Sequence, residues 1–279
     1  MKLSSTIANM RGCTGYLYGR HKAESQANKF RKREKNHWRE RIRAVLTRCG
    51  ELPGARVIDL GCGVGTFALL AMEAGATQAW GIDSSPEMLA GAKTLAQEMQ
   101  VQPAFICADV LSTPLVSQCT DVVISADLIE HLNPAETIPF LQECYRLLCP
   151  GGRLVIHTWP NKYSYLFETR VALFLIPFAS LPPRVFERIV ELMDTAVCKA
   201  VPSLKTQSIG WSPGHSNLLT DTSMYEAATA AGLSEIVIEC MDLYRGYPLG
   251  ENIWRRRGAS FFHKHKAFCP NLLLTATKH

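Results

Sequence analysis

The stretch VIDLGCGVGTFALL, Val57 to Leu70, limits what this chain can fold into more than any other. A short apolar run closing on Leu60 reads as a strand buried on both faces, as in a parallel sheet. Glycines follow at alternate positions, Gly61, Gly63 and Gly65, and then an apolar segment suited to a helix. Parallel strands need a crossover before the chain re-enters the sheet, usually a helix. Glycine at the strand-to-helix turn permits a left-handed backbone and leaves room where a Cβ would intrude. The block predicts one βα unit of an open α/β sheet, with something approaching the backbone at its turn.

The alternation recurs. Pro53-Gly54 breaks the chain before ARVIDL, and AWGID reads as a second strand. In SSPEMLAGAKTLAQEM, Ser85 is the expected N-cap and Pro86 the first helical residue, with Met88, Ala92, Leu95 and Met99 on one face. AFICADV and DVVISADL are further strands. NPAETIPFLQECYRLL opens with Asn133 as N-cap, Pro134 and Glu136; Ile138, Leu141, Tyr145 and Leu148 form its apolar stripe, and Pro139 should kink its first turns. CPGG leads into RLVIHTW. The regularity stops at Pro160, and residues 161–219 read as an insertion. Within it Val185, Ile189, Leu192 and Ala196 form one stripe beside a second of Phe186, Val190, Met193 and Val197. Ser223 and Glu226 are spaced as a capping box over MYEAATAAGL, before the strands SEIVIECMDL and NLLLTATK. Upstream, residues 1–35 read as irregular, and a helix over roughly Asn36 to Arg48 carries Trp38, Ile42, Val45 and Leu46 at helical spacing. The pattern predicts a parallel sheet with helices on both faces.

Two ligand classes compete for the glycine turn. A dinucleotide wants G-x-G-x-x-G with its pyrophosphate on the next helix N-terminus. Here the spacing is one residue tighter, and Asp59 stands where a carboxylate would repel pyrophosphate. A cation-bearing ligand suits it better. S-adenosylmethionine has an ammonium, a sulfonium and no phosphate, which favours the methyl donor.

Five blocks then carry a resemblance: VIDLGCGVGTFALLAMEAGA, GIDSSPEML, ADV, DVVISADLIEHL and LLCPGGRLVI. In this order the chain resembles the class I S-adenosylmethionine-dependent methyltransferases, above all the subgroup holding the ubiquinone- and menaquinone-pathway enzymes. The likeness spans roughly residues 50–160 and the closing helix and strands. It implies a doubly wound, seven-stranded, mostly parallel sheet with the last strand antiparallel, an N-terminal helical segment and a helical lid after the fifth strand. The whole chain, 1–279, is then one domain: an N-terminal cap (1–50), a donor-binding core (51–160), a hydrophobic lid (161–219) and a C-terminal helix with two strands (220–279). The resemblance implies that Asp59, Gly61, Gly63 and Gly65 line the methionine end of the donor, with Cys62 among them as a small residue of no chemistry. Asp83 would accept both ribose hydroxyls, a two-point contact no neutral side chain reproduces, flanked by Ser84 and Met88. Asp109 and Val110 would meet adenine, and Ser125 and Ala126 would lie under the donor.

Methyl transfer from a sulfonium is an in-line displacement, so the protein chiefly supplies alignment and keeps water out. A base is needed only where the acceptor loses a proton, and histidine suits that at neutral pH. His131, in LIEHLNP, and His215, in PGHSNLLT, are the candidates; His157, inside a strand, reads as a core residue. Helix capping and packing are the competing roles. His263, His265 and Cys269 offer one weak metal spacing without a fourth ligand, and no metal is expected. The segment VALFLIPFASLPP reads either as ordinary packing or as an apolar lid for an isoprenoid, quinone-like, polyketide or lipid acceptor. Two departures from the family concern the acceptor: the tryptophan in HTWPN, and the long basic-aromatic link with Trp254, Arg255, Arg256, Arg257, Phe261 and Phe262.

Composition sets the remaining bounds. With 47% hydrophobic and 20% charged residues the chain has ample core, and no apolar run is long enough to span a membrane. The first residues lack a secretory pattern and the ten cysteines include no C-x-x-C, so a reduced, cytoplasmic chain with buried cysteines is expected. The net charge of +5 is concentrated in RKREKNHWRERIR and near the end. It reads as a solvated helix face, or as a surface for phosphate, nucleic acid or anionic lipid at a membrane. A small hydrophobic substrate is the expected partner and nucleic acid is disfavoured; the oligomeric state is open. The rival functions are an RNA or protein methyltransferase, a non-catalytic S-adenosylmethionine-binding scaffold, and an NAD enzyme, which the glycine spacing disfavours.

Overall fold

A computed structural model describes residues 19–33, 38–160, 215–241 and 271–279, with scattered positions between 162 and 199. Its strands are β1 (Arg56–Leu60), β2 (Gln78–Asp83), β3 (Ala104–Cys107), β4 (Thr120–Ala126), β5 (Leu148–Thr158), β6 (Ser234–Met241) and β7 (Asn271–Thr277). They form one seven-stranded sheet in the order β3-β2-β1-β4-β5-β7-β6. The pairs from β3 through β5 are parallel, and β7 runs antiparallel to both its neighbours. Strand order reverses between β1 and β4, which opens a crevice at the carboxyl ends of these two strands.

Period-two alternation gives the sheet two apolar faces. Val57, Val122, Ile124, Val155 and Leu273 face one core, built with α1 (Arg20–Arg31), α2 (Trp38–Leu46), α3 (Thr66–Glu73) and α4 (Pro86–Met99). Ile58, Leu60, Val123, Leu154 and Ile156 face the other, covered by α5 (Thr137–Leu147) and α6 (Asp221–Ala230). Ser85 caps α4 as expected, its hydroxyl accepting from Met88 N, with Pro86 at the first helical position.

The structure corrects four local expectations. Residues Arg20–Arg31 are helical rather than irregular. Ala23, Ala27 and Phe30 are buried, and Arg31 grips Glu98 of α4 with bonds of 2.9 and 2.6 Å. The buried face of α5 is Phe140, Leu141, Cys144 and Leu147, whereas Ile138 is 40% exposed and Leu148 already belongs to β5. Pro139 lies in the first turn of α5, where its missing N–H would be unpaired anyway; a short 3₁₀ turn with an Asn133–Glu136 capping box leads into it. The capping box of α6 is Thr220 with Ser223, not Ser223 with Glu226.

Of the seven described cysteines only Cys49, Cys62 and Cys144 are buried, fewer than composition suggested; all seven are free thiols. The apolar lid segment 171–180 and the basic-aromatic link, with His263, His265 and Cys269, lie outside the described residues. Two positions of the expected lid stripe, Val185 and Leu192, are exposed. Among the described residues no helix is long and apolar enough to cross a membrane.

Candidate active site

The glycine turn lies at the carboxyl end of β1. Gly61, Gly63 and Gly65 all have positive φ, 70°, 53° and 79°, a region that side chains with a Cβ rarely adopt. What approaches each glycine differs. A Cβ on Gly61 would meet the Leu128 side chain at 2.8 Å, and one on Gly65 would meet the Phe105 ring at 2.7 Å. At Gly63 nothing among the described residues lies within 4 Å. Two of the glycines therefore accommodate the protein's own side chains, and Gly63 presents bare backbone to open space.

Two carboxylates brace the turn. Asp59 is 1% exposed, and its Oδ2 accepts from the amides of Phe67 and Ala68, each at 3.1 Å, at the N-terminus of α3. Burial pushes its pKa up to about 7 against those two bonds. Asp83, ending β2, accepts from Gly63 N at 2.8 Å through Oδ2 and from Ser85 N at 2.9 Å through Oδ1. Burial raises its pKa too. Each oxygen keeps a lone pair beyond these bonds, so a vicinal diol can still be gripped at two points. Burial likewise holds the Cys62 thiol protonated, consistent with a packing role.

β3 follows at the sheet edge. Ala108 N donates to Asp83 O at 3.2 Å, which sets Asp109 and Val110 beside the β2 terminus. Asp109 Oδ1 closes a turn onto Leu111 N at 2.9 Å, and Val110 is buried. Cys107 Sγ meets Ser84 O at 3.6 Å. The Met88 side chain is 2% exposed within the core, so its placement beside a ligand rests on its backbone. At the end of β4, Ser125 is fully buried with no hydrogen-bond partner for Oγ among the described residues, and Ala126 is half-buried.

On the other side of β4 the two candidate histidines meet. Ser216 N and Asn217 N donate to Glu130 O at 2.9 and 3.1 Å, and Asn217 Nδ2 bonds Ile129 O and Thr137 Oγ1. These bonds tie residues 215–217 to the turn after β4. The rings of His131 and His215 then lie edge to face at 4.7 Å, and Trp159 closes on His215 at 5.6 Å. His215 is 8% exposed and its Nδ1 has no partner among the described residues. Burial, and then the neighbouring His131, push its pKa down to about 4, so the ring is neutral at pH 7. Glu130 is buried beside them, accepting from Thr158 Oγ1 at 2.9 Å, and burial raises its pKa to about 7. One ligand atom from each of Glu130, His131 and His215 lies within 4.8 Å of the others, a spacing that suits a metal ion or an acceptor oxygen.

Sequence reasoning missed the groups around Asp127. It accepts from His157 Nδ1 at 2.7 Å and pairs with Arg41 of α2. His157 is indeed a core residue, fully buried, and burial followed by the Arg41 charge lowers its pKa to about 3. The basic N-terminal stretch is thus turned inward at Arg41, whereas Arg31 pairs with Glu98 at the exposed surface. The available signal was the carboxylate at the end of β4, three residues before Glu130.

Comparison with known proteins agrees with this geometry. The family model described as a methyltransferase domain matches residues 57–152. The ubiquinone biosynthesis O-methyltransferase of Vibrio cholerae is 32% identical over 187 residues, covering 65% of this chain and 73% of that one. The demethylmenaquinone methyltransferase of Thermus thermophilus is 37% identical over 123 residues, 44% of this chain and 54% of its own. Magnesium protoporphyrin IX methyltransferase from Synechocystis, solved with S-adenosylhomocysteine, shares the fold with a TM-score of 0.51 at 19% identity, covering 93% of this chain and 83% of that one. The strand order, the glycine turn and these relatives together establish that the chain belongs to the class I S-adenosylmethionine-dependent methyltransferases, in the subgroup of the ubiquinone- and menaquinone-biosynthesis enzymes.

Proposed function

We propose that the chain methylates an oxygen or carbon of a small, fairly hydrophobic metabolite of the isoprenoid, quinone-like, polyketide or lipid kind. The observation that carries this reading is the His131–His215 pair, joined by Trp159, past the carboxyl ends of β4 and β5, with His131 N bonded to the carbonyl of the Leu128 that lies on Gly61. The kinship with ubiquinone- and menaquinone-pathway enzymes supports an apolar acceptor.

S-adenosylmethionine supplies an electrophilic methyl group on sulfonium. Gly61, Cys62, Gly63 and Gly65, with Asp59 beneath them, hold its amino-acid end. Asp83 takes the ribose with its two remaining lone pairs, flanked by Ser84 and Met88. Asp109 and Val110 receive adenine, and Ser125 and Ala126 form the floor. His131 and His215 orient the acceptor; for a hydroxyl, they also take its proton as the new O–C bond forms and the C–S bond breaks, releasing a neutral thioether. A neutral His215 with an unused Nδ1 is suited to that hydrogen bond. Trp159 keeps water from the reacting atoms.

The test is incubation of the purified chain with methyl-labelled donor and separate pools of prenylated phenols, quinols and tRNA. Label in an apolar phenol or quinol supports the proposal; label in tRNA alone, or in nothing, overturns it. No step here needs a metal. Because Glu130, His131 and His215 could share a cation, transfer should persist after dialysis against EDTA, and a loss restored by a divalent ion would replace the histidine roles with a metal centre.

A further inference from the structure

The side-chain relay Arg41–Asp127–His157–Asn271, part-buried at its first two members and buried at the last two, belongs to neither the donor contacts nor the histidine pair. Asp127 is a non-glycine residue at φ 55°, in the left-handed region, where such a backbone persists only if its surroundings hold it. Its amide still donates to His157 O at 3.0 Å, so the chain turns abruptly just as it leaves the sheet. The turn lays Leu128 on Gly61, in the space a Cβ would occupy. Its two carboxylate oxygens are gripped from opposite sides, one by Arg41 of α2 and the other by His157 of β5. Both grips are themselves fixed. The Arg41 guanidinium lies 4.2 Å over the Trp38 ring, and His157 Nε2 lies 3.0 Å from the Asn271 amide of β7.

We propose that Arg41 and His157 are positioning residues for methyl transfer: by clamping the Asp127 carboxylate they hold a left-handed turn that keeps Leu128 against Gly61 and so fixes the donor loop. This rests on the donor placement proposed above. It also gives the N-terminal helices a part in the site, although the matched methyltransferase domain begins only at residue 57. α1 packs on α4 at Gly91, where a Cβ would stand 3.9 Å from Ala23 of α1 and 3.4 Å from Val64 of the loop.

The experiment is calorimetric titration of the full chain with S-adenosylhomocysteine, a readout independent of the acceptor. Arg41→Ala should weaken binding about fivefold, the scale of one left-handed residue's strain. Asp127→Gly adopts the turn without a clamp, so it should bind within about twofold of the native chain, and adding Arg41→Ala to it should cost nothing more. A merely structural Arg41 would cost the same in both backgrounds, and that result, or unchanged binding in Arg41→Ala, overturns the clamp. Should Arg41→Ala not fold, Arg41→Gln takes its place in the same cycle. In the absence of ligand, Arg41→Ala should also speed hydrogen exchange of the His131 amide, which donates to Leu128 O at 2.8 Å; unaltered exchange counts against the clamp. If the native chain fails to bind S-adenosylhomocysteine, the donor placement falls and this role with it. If Asp83→Ala weakens binding and Arg41→Ala does not, only the clamp falls.

Discussion

Asp59→Asn should make the protein more stable at pH 8 and less able to hold its donor. The carboxylate is 1% exposed, and one oxygen, Oδ2, accepts both helix amides. An asparagine oxygen can occupy that position and keep both bonds, leaving only the charge removed. Burial raises the folded pKa from 3.8 to about 7, a little over three units. At about 1.4 kcal/mol per unit, ionising this pocket costs at most about 4 kcal/mol. Because the folded pKa lies above the unfolded one, the native state binds the extra proton between them. Stability is then complete below about pH 4 and declines as pH rises through about 7. Glu130, raised from 4.5 to about 7, adds a decline of the same sign that the variant retains. Urea unfolding followed by tryptophan fluorescence at pH 5 and pH 8 separates the two. The variant should show a smaller loss between these pH values and a gain of up to about 4 kcal/mol at pH 8. An unchanged pH slope, or a variant less stable than the native chain at pH 8, would refute the claim that this charge is buried at a cost. Weaker binding of S-adenosylhomocysteine by the stabilised variant would show what the cost is kept for.

Other substitutions test the rest of the site. Asp83→Ala removes the acceptor of Gly63 N and Ser85 N together with the sugar contact, and should weaken S-adenosylhomocysteine by about 1.5–3 kcal/mol in calorimetry; unchanged affinity misplaces the adenosine. Gly65→Ala forces a side chain into φ 79° and to 2.7 Å from the Phe105 ring. Thermal unfolding should show a loss of at least about 1–2 kcal/mol, and a variant as stable as the native chain contradicts the crowding. His215→Ala should lower kcat about a hundredfold, within the range for a lost acid–base or orienting group, while leaving donor affinity unchanged; a loss confined to donor binding moves His215 out of the acceptor site. Phe140→Ala, fully buried beneath the sheet, should cost about 3–5 kcal/mol in urea unfolding without altering donor affinity per folded molecule.

What was legible in the sequence was local. The glycine turn, the Ser85 cap and the acid closing β2 depend on residues within a turn or two of each other, and composition and spacing encode them directly. The strand ends were not so legible, since β5 begins at Leu148 and takes in the CPGG read as a turn, and β3 stops at Cys107. α1 escaped because its contact face is small. Ala23, Ala27 and Phe30 do fall at helical spacing, but two alanines among lysines and arginines scarcely register as a stripe. α5 carried two candidate stripes sharing Leu141, and only packing against β5 and α6 settles which one is buried. The glycines were read as room for a ligand. Leu128 and Phe105 fill that room at two of the three, and neither is near them in sequence. Arg41 sat in a basic run whose average behaviour is to face water. Its partner lies 86 residues away on a strand end, and no local pattern signals such a pairing.

The two polar clusters at the edge of the sheet have a common origin in β5. Successive residues of a strand face opposite sides, so His157 joins Val155 on the face covered by α2, and Thr158 joins Ile156 on the face covered by α5. His157 meets Asp127 and Asn271; Thr158 meets Glu130 beside the histidine pair. β4 feeds both clusters from its continuation, with Asp127 turning one way and Glu130 the other. The Asp127–His157 and Thr158–Glu130 bonds form in this register, in which Ala126 lies opposite His157. A slip of one residue would set His157 on the Glu130 side and leave Asp127 without its imidazole. The same pairing that closes the hydrophobic core on both faces therefore specifies the polar edge, and Leu128 joins that edge to the glycine turn at Gly61.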